Sequence, residues 1–330
     1  MEAHTAPKKG PVLLTGATGF VGRHLYPILQ SEGYDVICAT RSVEKARQTY
    51  PSRQWVELDI ERPETLRPAL TGIKAAFFLI HGMSDDGDYE RRERESANNF
   101  IQAAEDCGVE RIVYLGGVLP KGKLSKHLRS RKVTGEILRS GNVSTIELRA
   151  GMIIGAGSES WNIIRDLTAR LPAMLLPRWL SYRSEPISID DVVTALLHAL
   201  ELSQKNSAWY DIPGPEQMTG KELILRVSRL RGVAPLTVSV PILSPKLSSY
   251  WLRFVTRADF KVAKELVLGF TGDLVASGDV FWDILPGYQL TAFDEAAKIA
   301  LEESRAQLSP NERMIESILR KLSRKSEASS

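Results

Sequence analysis

A short apolar run, a turn with three evenly spaced glycines and a helical pattern succeed one another between residues 12 and 29. That order restricts the fold more than any other feature of the chain. Val12-Leu13-Leu14-Thr15 has the character of a buried strand. In Thr15-Gly16-Ala17-Thr18-Gly19-Phe20-Val21-Gly22 the glycines recur at every third position. Val21, Leu25, Ile28 and Leu29 then repeat at helical spacing. Gly16 permits a tight turn, Gly19 lets backbone approach a pyrophosphate, and Gly22 lets the helix pack close to the strand. The free N–H groups at the start of the helix favour an anion there. An ordinary strand-to-helix turn is the competing reading, and a following βα series separates the two.

That series is present. Strand-like runs at 35–40, 55–58, 75–80, 111–115 and 144–148 alternate with helical stretches near 43–50, 64–71, 88–107 and 127–140. The alternation predicts an α/β fold with a Rossmann-type, doubly wound parallel sheet, its ligands at the carboxyl ends of the strands. A length of 330 residues suits about two domains, at roughly 150 residues each. We expect a nucleotide-binding domain over 10–155 with a return segment at 186–205. A smaller mixed substrate lobe is expected over 156–185 and 206–305, then a C-terminal helix and frayed tail over 306–330. Within the lobe, 209–212 and 236–240 read as strands, and 219–231 and 244–270 as helical. Its aromatic side chains (Tyr250, Trp251, Phe254 and Phe260) fit plain packing, an apolar substrate pocket, or a subunit or membrane interface that leaves room for a homodimer.

Composition excludes several classes. The charge of +3 is too small to imply nucleic-acid binding. Two cysteines, Cys38 and Cys107, rule out a disulfide framework and fit a reducing, cytoplasmic setting. The five histidines show no ligand spacing, so no metal is expected. No apolar leader precedes Pro11 and no stretch is long enough to span a bilayer. Ser309-Pro310 reads as a helix start, followed by Ile315, Ile318, Leu319 and Leu322 at helical spacing. Docking on its own domain is the plain reading, with a peripheral membrane or partner helix as the sharper one.

The turn TGATGFVG resembles the nucleotide-binding signature of the short-chain dehydrogenase/reductase superfamily. The segment 148–157 (LRAGMIIGAG) and the segment 186–192 (PISIDDV) resemble later motifs of its extended members. The run from FFLIHGM to ERIVYLGG is most similar to the atypical, NmrA-like NAD(P)H-binding branch. The resemblance implies a nicotinamide dinucleotide held by Gly16, Thr18, Gly19, Phe20 and Val21, with Ile80 and His81 at the end of the fourth strand. It also implies an adenine contact at Asp59 and Ile60, with helix capping by that aspartate as the rival reading. Where an NAD site carries an acidic residue after the second strand, this chain has Arg41-Ser42. An arginine there accommodates a 2′-phosphate, so NADP(H) is the expected cofactor, against a solvated loop arginine.

Typical members carry a serine at the end of the fifth strand and a YxxxK pair on the next helix. Here Gly116-Gly117 occupy the serine region and Leu128 the tyrosine position, while Lys132 and Glu136 keep the rest of the frame. Lys132 is read as a ribose or substrate contact, against a surface lysine. His81 is read as a cofactor or substrate contact able to move a proton near neutral pH, against a structural hydrogen bond. His127 beside Leu128 is the weaker candidate, since a loop-edge histidine is usually solvated. The basic run Lys121, Lys123, Lys126, His127, Arg129, Arg131 and Lys132 fits either attraction of an anionic substrate or a solvated face. The implied activity is hydride transfer to a small or apolar carbonyl or enone. The rival is a non-catalytic NADP-binding redox sensor or assembly factor.

Overall fold

The computed structural model describes residues 9–80, 89–122, 124–240, 256, 260–270 and 272–324. The chain starts as the glycine turn predicts: β1 (Lys9–Leu14), the turn, then α1 (Phe20–Ser31). There follow β2 (Tyr34–Thr40), α2 (Val43–Thr49), β3 (Gln54–Glu57), α3 (Leu66–Leu70) and β4 (Ala75–Phe78). Then come α4 (Tyr89–Asp106), β5 (Arg111–Gly117), α5 (Lys126–Ser140) and β6 (Ser144–Ala150). The chain continues through β7 (Ile153–Ile154), α6 (Glu159–Arg170), β8 (Ala173–Pro177), β9 (Arg183–Ser184) and β10 (Ile187–Ser188). It returns to the sheet with α7 (Ile189–Glu201) and β11 (Ala208–Asp211). The remainder is β12 (Met218–Thr219), α8 (Gly220–Leu230), β13 (Leu236–Val240), α9 (Phe260–Gly269), α10 (Phe293–Ala306) and α11 (Pro310–Arg324).

Seven parallel strands form one sheet in the order β3-β2-β1-β4-β5-β6-β11. The order reverses between β1 and β4, where a crevice opens at the carboxyl ends of the strands. Strand periodicity distributes the core. Val12 and Leu14 join the cluster under α1 and α7, while Leu13 faces the cluster under α3 and α4. Both faces are covered, which is why β1, β4 and β5 lack polar alternation.

One strand sits elsewhere than expected. Ala208–Asp211, expected in the second lobe, is the seventh strand of the main sheet, paired to β6. Its register puts Trp209 opposite Glu147 and Asp211 opposite Arg149. A strand's neighbour is a long-range choice that its own residues do not encode. The apolar stretch Ala173–Pro177 is likewise a strand, paired in parallel with β13. Of the expected helix over 244–270, the part before Phe260 lies outside the described residues, apart from Thr256.

A buried carboxylate ties α5 to the sheet. Glu147 on β6 is 1% exposed and pairs with Arg139 and Arg149, both at 2.8 Å. The Arg149 guanidinium also lies 3.8 Å over the Trp209 ring. Space for the carboxylate comes from two glycines. A Cβ at Gly135 would meet Glu147 Oε2 at 2.4 Å, and one at Gly116 would meet Oε1 at 2.9 Å. In the second lobe, Arg165 and Asp166 form a fully buried pair on α6. Glu316 of α11 bridges Arg165 and Arg231 at 3.1 and 3.2 Å. The terminal helix therefore docks through a carboxylate, while its Met314, Ile315 and Ile318 are exposed. Among the described residues no helix is long and apolar enough to cross a membrane.

Candidate functional site

The glycine turn is built as a cradle of backbone. Gly16 has φ +66°, the left-handed region that favours glycine, and a Cβ there would meet the Leu79 carbonyl oxygen at 2.7 Å. A Cβ at Gly22 would stand 2.3 Å from the Gly16 carbonyl oxygen. Gly19 caps α1, and no side chain satisfies the first N–H groups of that helix. Thr18 and Gly19 are exposed, and Phe20 and Val21 half-buried. This bare, positively polarised helix start fits a dinucleotide pyrophosphate.

Two residues that the sequence reading passed over hold the cradle in place. Thr15 is fully buried; its hydroxyl donates to the Phe77 carbonyl at 2.8 Å and accepts from Leu79 N–H at 2.9 Å. It thereby pins the ends of β1 and β4 across the crevice. Arg53 donates to the Ala17 carbonyl at 3.1 Å and lies over the Tyr26 and Tyr50 rings at 4.0 and 4.2 Å. Its position 36 residues from Ala17 left no local signal. Nearby, burial pushes the Cys38 thiol up to about 11, so it is an inert core residue.

Arg41 and Ser42 are exposed directly after β2. Asp59 and Ile60 follow β3, both half-buried. Asp59 Oδ1 accepts from Glu61 N–H at 3.1 Å, so the carboxylate closes its own turn rather than capping the helix after Pro63. Ile80 is half-buried at the end of β4, packed against the core under α3 and α4. His81 lies outside the described residues, as does Lys123.

A cavity of about 960 Å³ begins at this cradle and continues into the second lobe. Gly16, Gly19, Phe20, Val21 and Gly22 line one end, and Gly116, Gly117, Leu128 and Arg131 the middle. The far end is walled by apolar side chains of α6, β8, α8 and α9. Phe20 closes against the later glycine motif, where a Cβ at Gly155 would meet its ring at 2.7 Å. Leu128, at the expected tyrosine position, is 8% exposed and faces Gly117 across 3.5 Å from that residue's notional Cβ.

The side chain that precedes Leu128 on α5 differs from expectation. His127 is buried, not solvated, at 6% exposure, and lines the cavity. Its Nδ1 has no hydrogen-bond partner. Burial, helped by the Arg131 charge, pushes its pKa down to about 3, so the ring is neutral at pH 7. Arg131 donates to the Gly116 carbonyl at 3.3 Å, and its Nε is buried without a partner. Lys132 is half-exposed, pairs with Glu136 at 3.3 Å and is not part of the cavity lining in this arrangement. The basic run is thus largely divided among partners: Arg129 pairs with Glu90 at 3.6 Å, while Lys121 and Lys126 are exposed. Among the described residues no group of three His, Cys, Asp or Glu side chains is placed to hold a metal ion.

Comparison with known proteins bears on the same region. A family model described as NAD(P)H-binding matches residues 16–152. The photosystem II assembly factor Ycf39 of Synechocystis is 24% identical over 306 residues, 88% of this chain and 88% of that protein. The ceramide reductase of Caulobacter vibrioides is 24% identical over 251 residues, 71% of this chain and 74% of that one. Among solved structures, the Citrobacter triphenylmethane reductase complexed with NADP(H) superposes with a TM-score of 0.69 at 19% identity, covering 88% of this chain and 99% of that chain. At that identity the likeness speaks for the fold alone. The glycine cradle, the strand order and the matched segment agree: residues 16–152 form an NAD(P)H-binding domain on a Rossmann-type fold.

Proposed function

We propose that the protein is an NADP(H)-dependent oxidoreductase that moves a hydride between the nicotinamide and a small or apolar carbonyl or enone. One observation carries this reading: a single cavity joins the glycine cradle to an apolar lobe, past the β5–α5 region where this fold does its chemistry. When bound, the cofactor supplies the hydride. In the proposed site, Gly16, Thr18, Gly19, Phe20 and Val21 hold the pyrophosphate, and Asp59, Ile60 and Ile80 border the adenine half. Arg41 and Ser42 take the 2′-phosphate. Lys132 sits one turn after Leu128 and reaches the ribose on leaving Glu136. Leu128 carries no labile proton, so the proton that completes carbonyl reduction comes from another group, for which His81 and Lys132 stand as candidates. With Cys38 and Cys107 both free, a reducing cytoplasmic setting belongs to the same reading.

Titration tests the cofactor preference. NADPH should bind about 10- to 100-fold more tightly than NADH, the worth of one or two charge-assisted hydrogen bonds. Arg41→Ala should remove that difference while leaving NADH binding unchanged. Equal affinities in the native protein would refute the assignment.

A second reading keeps the cofactor and drops the chemistry. Leu128 and Gly116-Gly117 at the relay positions favour a redox sensor or assembly factor, as does the likeness to proteins named as assembly factors. Measuring NADPH oxidation over a panel of aldehydes, ketones and enones separates the two. An enzyme should turn over part of the panel, and Lys132→Ala should lower kcat by about 10- to 100-fold with Tm unchanged. No turnover anywhere, with partner affinity that differs between oxidised and reduced cofactor, selects the sensor.

A further inference from the structure

The cavity contains a polar spot that the cofactor cradle does not use. His127 and Arg131 stand one helical turn apart on α5, both in the cavity wall. Each has a buried nitrogen without a hydrogen-bond partner, Nδ1 of His127 and Nε of Arg131. Such groups are costly to bury unsatisfied, and because both nitrogens lie just beneath the cavity surface, a ligand oxygen reaches them once the ring and the guanidinium turn toward the cavity. The surroundings are apolar. Leu128 lies between them in sequence, and Ile163, Leu167, Met174 and Trp179 continue the wall away from the nucleotide cradle. Among the described residues, carboxylates are present in the lining only at Glu159 and Glu265, on α6 and α9 rather than α5. The whole space, nucleotide cradle included, measures about 960 Å³, so the apolar end takes only part of it.

We infer that this cavity takes an elongated, lipid-like molecule with one oxygen head group: the head accepts hydrogen bonds from His127 and Arg131, and the apolar body lies along α6 and β8. A neutral imidazole and a guanidinium are both donors toward an oxygen. Burial, helped by the Arg131 charge, keeps the His127 ring from protonating, so the spot has a single fixed cation. A compact polar substrate such as a sugar would leave most of its hydroxyls facing Ile163, Leu167 and Met174 without partners. The inference rests on the proposed nucleotide-and-substrate cleft and adds the chemical class of the occupant.

Binding, not turnover, tests it. The full chain, saturated with NADP⁺ so that no ketone is reduced, is titrated with 2-butanone, 2-hexanone, 2-octanone and 2-decanone. Each methylene that enters the apolar wall should tighten binding by roughly fourfold until the cavity is full. Leu167→Trp, which fills the wall from a half-buried position, should end that gain at a shorter chain. His127→Phe should weaken every member of the series by the same factor, roughly 3- to 10-fold, the worth of one hydrogen bond. Cofactor affinity serves as the check that each variant is folded. An affinity independent of chain length in the native protein overturns the inference, even if short ketones are reduced. Chain-length dependence with no turnover of any ketone keeps the inference and removes the enzyme reading.

Discussion

Alanine at Gly22 should lower NADPH affinity by at least about 100-fold, the penalty for displacing a binding loop by the order of an ångström. The added Cβ would meet the Gly16 carbonyl oxygen at 2.3 Å, Ala17 Cα at 2.8 Å and the Gly16 carbonyl carbon at 2.9 Å. All three are backbone atoms of the turn, so no side-chain rotation relieves the overlap. Either α1 moves away from β1 or the turn opens, and both misplace the N–H groups that face the pyrophosphate. Gly33→Ala supplies the control. Gly33 has φ +82° but nothing within 4 Å of a notional Cβ, so alanine there should cost about 1–2 kcal/mol of stability and no affinity. Isothermal titration with NADPH on the two variants, beside their thermal midpoints, reads both effects. Native affinity in Gly22→Ala would show that the cradle is not where the dinucleotide sits.

The second large effect concerns stability. Glu147→Gln should destabilise the protein by about 3–5 kcal/mol, the usual cost of removing one charge from a buried pair. The carboxylate is 1% exposed and answers two arginines, of which Arg149 is itself buried. Glutamine nearly preserves the volume but leaves both guanidiniums without a counter-charge. Gly135→Ala should act through the same carboxylate from the opposite side, because its Cβ would stand 2.4 Å from Oε2. The two substitutions share a site, so their combined cost should fall well short of the sum. Urea denaturation of the single and double variants checks the magnitude and the coupling. Additive costs would mean that the carboxylate and the glycine act independently.

How far the sequence could be read depended on the range of each interaction. The βα series and the glycine turn are written in local periodicity, so β1 to β6 and the helices between them stand close to their expected positions. The place of β11 is not local: Trp209 to Asp211 read as a strand, but pairing with Glu147 to Arg149 is a choice made 62 residues away. Glu147 looks unremarkable in STIELRA, and only the gaps at Gly116 and Gly135 explain its burial. Aligning the YxxxK frame drew attention to Leu128 and Lys132. The helical spacing of His127 and Arg131 was visible in the same residues, and following it would have found the pair that lines the cavity. Thr15 and Arg53, which fix the cradle, act through hydrogen-bond partners at least 36 residues distant.

The interrupted path of the chain also has a consequence in time. A ribosome delivers residues in order, at about 5–20 per second. The glycine turn emerges ahead of β6, yet β6 gains its outer neighbour only with Ala208–Asp211, and the face under α1 is covered only with Ile189–Glu201. Until about residue 211 has left the exit tunnel, β6 lacks its outer neighbour and the nascent sheet has an uncovered apolar face. The nucleotide-binding domain is therefore begun well before it is completed, and truncation near residue 155 should yield an aggregating fragment rather than a free-standing domain.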